Sequence, residues 1–247
     1  MFRPTVLLVA AAIVVGAAPA FGQTPAGAMN GEKPHKALIY LTPADIDPAR
    51  LLPPPPADGS TAAQADLSAV KQIMAARTPE RLARARWDDE HEDPSAFNAT
   101  LGAGYDVKAM PATAAVMQIV QLDAGIAASA AKRLFARKRP WAVDPSIVTC
   151  DPNDKPLTSY PSGHATMGYA VAMTYAVLAP EKAQALMARA ADYATSREVC
   201  GAHYGSDTAA SAALSAAVVT ALLKDPRFQA KLQLARSELR AAKVTAQ

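Results

Sequence analysis

Nowhere does this chain sustain the alternation of Val, Ile, Thr and Tyr with polar residues that a half-buried strand requires. Apolar residues make up 51% of the sequence, but many are alanine, which favours helix over strand, and aromatics are only 6%. A chain of 247 residues is long enough to bury a sizeable core. The reading is an all-α protein, and length suggests one domain.

Helical patterns begin after Ser60. They predict helices over Asp66–Ala76, over the arginine-rich Pro79–Trp87 and over a long region from Met110 to Arg139 that starts or breaks near Pro111. Further helices are predicted from His164 to Leu178, from Pro180 to Ser196, from Ser206 to Lys224 and, as a peripheral polar element, from Gln229 to Lys243. Pro53 to Pro56 must be extended and read as a stiff wrapping segment. The acidic run Asp88–Asp93 reads as a solvated loop or helix end rather than a divalent-cation site.

Residues 1–22 have the pattern of a secretory signal peptide. Arg3 is the basic start, Val6–Val15 the apolar stretch and Ala18–Gly22 the small-residue cleavage region, with cleavage after Ala20 or, preferably, Gly22. An uncleaved anchor is the alternative; no Cys follows the apolar stretch to take a lipid. The mature chain, residues 23–247, opens with a Gly- and Pro-rich stretch to residue 36. Cleavage takes Arg3 from the 25 Lys+Arg and nothing from the 22 Asp+Glu, so the net charge drops from +3 to +2. That is too little to argue for nucleic acid or an anionic membrane as partner. No later segment offers the roughly 18 uninterrupted apolar residues of a membrane span.

An exported chain with two cysteines, Cys150 and Cys200, is expected to pair them, two separate buried thiols being the alternative. The bridge would close a loop of about 50 residues, worth on the order of 4 kcal/mol in the chain-entropy model.

Three short segments carry the chemistry. Lys132 and Arg139 lie seven residues apart, two helical turns, or about 10 Å along an axis, so both can reach one anion. Arg133, Arg137 and Lys138 would then lie on other faces, exposed. Pro161-Ser162-Gly163-His164 precedes an apolar helix. Ser162 is a good N-cap, Gly163 permits close backbone approach, and free amides at a helix start bind phosphate. In the third segment Arg197 offers a bidentate fork to phosphate oxygens. Asp207 stands four residues after His203, where its carboxylate can hold Nδ1 and leave Nε2 free as a nucleophile. Each segment alone reads as well as an ordinary helix end, cap or first-turn acid; only phosphoryl transfer uses all three. His35 and His91 sit in polar stretches and are assigned no role.

The pattern Lys-x6-Arg-Pro, Pro-Ser-Gly-His, Ser-Arg-x5-His-x3-Asp resembles the bacterial class A non-specific acid phosphatases. These belong to the superfamily of type-2 phosphatidic-acid-phosphatase-like enzymes and vanadium haloperoxidases. The resemblance runs from Lys132 to Asp207 and more weakly to Leu51–Pro56 and the two cysteines. It implies an all-α fold with a central helical bundle and a periplasmic enzyme, often a homodimer, that hydrolyses small phosphomonoesters without metal or cofactor. It makes His203 the nucleophile that forms a phosphohistidine, His164 the acid that protonates the leaving alcohol and Asp207 the group that orients His203. Lys132, Arg139, Ser162, Gly163 and Arg197 would hold the phosphate, with inorganic phosphate or vanadate as inhibitor. Tyr204 stands where Trp is expected, and Gln121 and Leu122 where some members carry an acid, with Asp123 out of register. Pocket walls are expected from Tyr105–Met117 and Cys150–Tyr160. The alternatives are a vanadate-dependent haloperoxidase, a lipid or pyrophosphate phosphatase of the same superfamily, and a phosphate-binding protein without turnover.

Overall fold

The computed structural model describes residues 1–2, 37–150 and 154–246. The predicted leader, its cleavage region and His35 lie outside the described residues. Lys36–Gln247 cluster as one compact unit. Among the described residues there is no strand. The helices are α1 (Pro48–Leu51), α2 (Thr61–Ala76), α3 (Pro79–Glu90), α4 (Asn98–Leu101) and α5 (Pro111–Phe135), followed by α6 (Pro140–Val143), α7 (Gly163–Leu178), α8 (Ala183–Val199), α9 (Gly205–Lys224) and α10 (Pro226–Ala241).

The helix starts follow capping chemistry. Ser60, Thr78 and Ser162 each accept a hydrogen bond from the backbone N–H three residues on, and Asp225 caps α10 ahead of Pro226. The apolar α7 is buried among α5, α8 and α9. Gly168 lets α8 come close: a Cβ there would stand 2.8 Å from the Tyr193 ring. Hydroxyls then tie α9 to α7. Ser211 donates to the Ser162 carbonyl at 2.9 Å and Ser215 to the Thr166 carbonyl at 2.7 Å. These bonds fix the start of α7, and with it the Pro-Ser-Gly-His turn; the Tyr160–Pro161 bond within it is cis.

α9 and the Pro111–Val143 stretch are long and apolar enough to cross a bilayer by composition, but half of each apolar window is buried inside the fold. The segment Pro53–Pro56 is extended, and Tyr160 donates its hydroxyl to the Pro53 carbonyl at 2.8 Å.

Two expectations are corrected. The helix from Met110 does not run to Arg139. It ends at Phe135, where Ala136 takes a left-handed conformation (φ 45°) and returns its N–H to the Lys132 carbonyl. Such a conformation costs an alanine about 1 kcal/mol, so the surrounding packing imposes it. Nor is the last helix peripheral. Phe228, Leu232, Ala235 and Leu239 are buried, and α10 packs on α5. Glu238 caps α5 from outside, accepting from the Ala112 and Thr113 amides at 3.0 and 2.8 Å. Met110 offers α5 no side-chain cap, and a carboxylate at a helix N-terminus is favoured by the dipole.

Candidate active site

The left-handed Ala136 turns the chain, so Arg139 reaches Lys132 by a bend rather than along a helix face. The returning strand of chain, residues 137–139, lies beside residues 156–159: the Arg139 amide donates to the Pro156 carbonyl and the Ser159 amide to the Arg137 carbonyl. Both cations meet at Thr158. Lys132 Nζ donates to its carbonyl at 2.6 Å, and Arg139 donates through Nε and Nη2 to its hydroxyl at 3.3 Å.

The Cys150–Cys200 disulfide is present, with 5.1 Å between Cα atoms, and the Cys150 amide donates to the Cys200 carbonyl. It ties the loop before Pro161 to the end of α8. There the Ala202 and His203 amides fold back onto the Arg197 carbonyl, so Arg197 and His203 enter the site from one tight turn.

His203 is buried, and its partners define its proton. Nδ1 lies 2.8 Å from the Ser159 carbonyl, which can only accept. Nε2 lies 3.2 Å from Arg139 Nη1, which can only donate. Nδ1 must therefore carry the hydrogen, and Nε2 presents its lone pair. Burial, then the charges of Arg139 and Lys132, hold this imidazole well below the ordinary histidine range, so it is neutral. Asp207 does approach Nδ1, at 3.3 Å, but the Ser159 carbonyl is the nearer partner.

Asp207 is buried and spends its lone pairs on several donors. Oδ2 accepts from the Ser159 hydroxyl at 2.5 Å and the Tyr204 amide at 3.0 Å, and Oδ1 accepts from Arg137 at 2.5 Å. Burial still lifts its pKa to about 6, opposed by Arg137. This overturns the exposed placement expected for Arg137. Because α5 ends early, Arg137 turns inward, 7% exposed, where it pairs with Asp66 and Asp207 and lies 4.0 Å over the Tyr204 ring. Tyr204, in place of a Trp, thus roofs that guanidinium.

His164 faces the same space from the first turn of α7. Its Nε2 donates to the Asp89 carbonyl at 3.0 Å, and Nδ1 stands 3.5 Å from Glu92 Oε1. Burial, then Arg197, hold its pKa well below the ordinary value. Lys132, buried and beside Arg139, is lowered to about 8. Ser162 caps α7, and a Cβ on Gly163 would meet Glu92 Oε1 at 3.5 Å and Lys132 Cε at 3.9 Å. All eight expected site residues are therefore brought to one region around His203 and His164.

The acidic run begins as the end of α3, as one of the two expected readings had it, but it is not solvated throughout. Asp88 is fully buried, accepting from Ser196 at 2.5 Å and paired with Arg189. Asp89 pairs with Arg197, which is 1% exposed. Arg197 keeps one donor in reserve: its buried Nε has no hydrogen-bond partner among the described residues. Asp154 pairs with Arg139 at 2.6 Å. Gln121 donates to the Glu92 carbonyl at 2.6 Å, whereas buried Asp123 accepts from the Ile39 amide and serves the N-terminal side of the core. Tyr105, Val107, Val116 and Met117 belong to the buried hydrophobic core. Thr158, Ser159, Asp89, Glu92, Asp154 and Arg137 are thus parts of the site with no motif of their own. Adjacency to Pro161 and to Arg139 was the only available signal for three of them.

Two buried cationic forks, a buried ammonium, a capped helix start and two histidines of fixed orientation can bind a tetrahedral oxyanion and attack its central atom in line. Comparison with known proteins points the same way. Residues 112–230 match the PAP2 superfamily. The chain is 32% identical over 210 residues to a non-specific acid phosphatase of Providencia stuartii, covering 81% of this chain and 84% of that protein. It is 31% identical to an acid phosphatase of Zymomonas mobilis (81% of this chain, 78% of the relative) and 30% identical to a non-specific acid phosphatase of Salmonella typhimurium (76% and 78%).

Proposed function

The chain belongs to the PAP2 superfamily, and from that footing we propose that it is an exported acid phosphatase that hydrolyses small phosphomonoesters through a phosphohistidine, without a metal. The kinship with relatives named acid phosphatases supports the activity. The observation that carries the mechanism is the tautomer of His203: Nδ1 is held by the Ser159 carbonyl, and the Nε2 lone pair stands 3.2 Å from Arg139.

In the first step Nε2 of His203 attacks phosphorus as the ester P–O bond breaks. The leaving oxygen takes a proton from His164, and in the second step water attacks phosphorus with His164 accepting its proton, so that the P–N bond breaks and His203 leaves as a neutral imidazole. Lys132, Arg139 and Arg197 spread positive charge over the three equatorial oxygens, the work a divalent ion does in other phosphoryl transferases. The Nε of Arg197, without a hydrogen-bond partner among the described residues, and the amides at Gly163 supply further donors. Asp207 stabilises the histidinium-like charge on His203.

A neutral His203 suits attack. His164 must be charged to donate, and a bound phosphoryl dianion favours that form by offsetting Arg197 and Lys132. The rate should therefore be bell-shaped in pH with an acidic optimum. Export agrees with the leader-like residues 1–22 and with the disulfide, since such bonds persist in oxidising compartments. Phosphate and vanadate should compete with substrate, and a dimer is the expected assembly.

The test is an alkaline, denaturing quench with a radiolabelled phosphomonoester, since the P–N bond of a phosphohistidine survives alkali and is cleaved by acid. The wild type should retain label and His203→Gln should not, while EDTA leaves turnover intact. An unlabelled wild type that still turns over, or loss of activity on chelation that one metal restores, would overturn the reading.

A further inference from the structure

His164 is surrounded by positive charge. Lys132 reaches the site from α5, Arg139 from the bend after it, Arg197 from α8 and His203 from the turn after α8; Lys132, Arg139 and Arg197 each disfavour an imidazolium at position 164. Tyr193, also on α8, lies against the ring as a neutral phenol, with centroids 6.4 Å apart and planes 27° apart. A general acid in such a place needs a source of negative charge. Asp89 Oδ1 is 3.9 Å from Nε2, but it is committed to Arg197, and Asp154 is committed to Arg139. Glu92 is the other carboxylate facing the ring. Its Oε1 stands 3.5 Å from Nδ1 while the side chain remains about half exposed to solvent.

The location of Glu92 is built rather than incidental. The chain around it is pinned from both sides: Gln121 on α5 donates to the Glu92 carbonyl at 2.6 Å, and Tyr193 on α8 donates to the His91 carbonyl at 3.0 Å. Gly163 lies directly beneath the carboxylate, where a Cβ would reach 3.5 Å from Oε1. The choice of nitrogen matters as well. Nε2 already donates to the Asp89 carbonyl, so the proton that makes His164 an acid sits on Nδ1, the atom that faces Glu92.

Resting on the phosphatase reading of the site, we propose that Glu92 is the counter-ion that keeps the transferable proton on Nδ1 of His164. It is a positioning residue: it does not touch phosphorus. As the ester P–O bond breaks, the Nδ1 proton passes to the leaving oxygen and His164 becomes neutral. When water attacks the phosphohistidine, its proton returns to Nδ1, and Glu92 again faces an imidazolium. The other hydrogen of the water stays on the oxygen now bonded to phosphorus and leaves with the phosphate.

The experiment compares wild type, Glu92→Gln and Glu92→Asp on an alkyl phosphate and on 4-nitrophenyl phosphate. An opposite charge at this range is worth about one pH unit or more. In Glu92→Gln the alkaline limb of kcat for the alkyl ester should therefore move about one pH unit lower. Above that limb the alkyl rate should fall about tenfold, while the nitrophenyl ester, whose leaving group needs no proton, changes little. Glu92→Asp keeps the charge and should keep most of the limb. An unchanged limb in Glu92→Gln, or equal losses on both esters, overturns the proposal. NMR titration of the His164 imidazole with vanadate bound reads the same quantity without turnover. Its pKa should be about one pH unit lower in Glu92→Gln. A wild type that hydrolyses neither ester would sink the phosphatase reading, while an unmoved His164 titration would sink the role of Glu92.

Discussion

Replacing Arg137 with methionine tests whether the buried Asp207 depends on that guanidinium. Arg137 is 7% exposed, donates to Asp207 Oδ1 at 2.5 Å and also pairs with Asp66. Methionine keeps much of the volume and removes the charge. Asp207 would retain the Ser159 hydroxyl, the Tyr204 amide and His203, but no full positive charge, and it cannot reach water. Removing one partner of a buried ion pair costs about 3–5 kcal/mol. The dependence on pH distinguishes this cause from lost packing. The pKa of Asp207 is already raised in the fold, to about 6 from 3.8, so its contribution to stability is full below about 4 and declines as pH rises through about 6. Without Arg137 that folded-state pKa climbs further, and the decline extends to higher pH. Urea unfolding at pH 5 and pH 7.5 should therefore show a larger loss at the higher pH. The double replacement Arg137→Met with Asp207→Asn should recover most of that loss, because a neutral pair leaves no charge stranded. A penalty equal at both pH values, or no recovery in the double variant, would refute the argument.

Three further outcomes follow from the geometry. Replacing Cys150 and Cys200 with serine should cost about 4 kcal/mol, from the 50-residue separation, read as a lower urea midpoint. Gly168→Ala should cost about 1–3 kcal/mol, because the new Cβ meets the buried Tyr193 ring at 2.8 Å; activity should also fall, since that ring lies against His164. Phosphate binding by calorimetry should weaken as pH rises through about 8, where Lys132 loses its charge, and Lys132→Met should abolish that step.

Sequence alone determined the helical class and marked the groups proposed here to meet phosphate. Alanine-rich apolar stretches without period-two alternation have one regular structure open to them, and Lys132, Arg139, His164, Arg197, His203 and Asp207 recur at spacings that few other sites would use. Some helix starts were legible because caps and prolines act locally, as at Pro79 and after Ser162, whereas α2 begins at Thr61, five residues before the expected Asp66, and α10 at Pro226, three before the expected Gln229. What tertiary structure decided was partnership. Helix periodicity placed Arg137 outward, but the left-handed turn at Ala136 sends it inward to Asp207, and packing imposes that turn where local propensity would not. The acidic run at the end of α3 looks solvated by composition, yet Asp88 and Asp89 are drawn in by Arg189 and Arg197, about a hundred residues away in sequence. The carbonyl that sets the His203 tautomer belongs to Ser159, and every residue carries a carbonyl, so no pattern of side chains could have marked it. Residue types set the inventory of charges and donors at this site. Long-range packing chose which of them face one another, because a buried charge must find its partner wherever the fold supplies one.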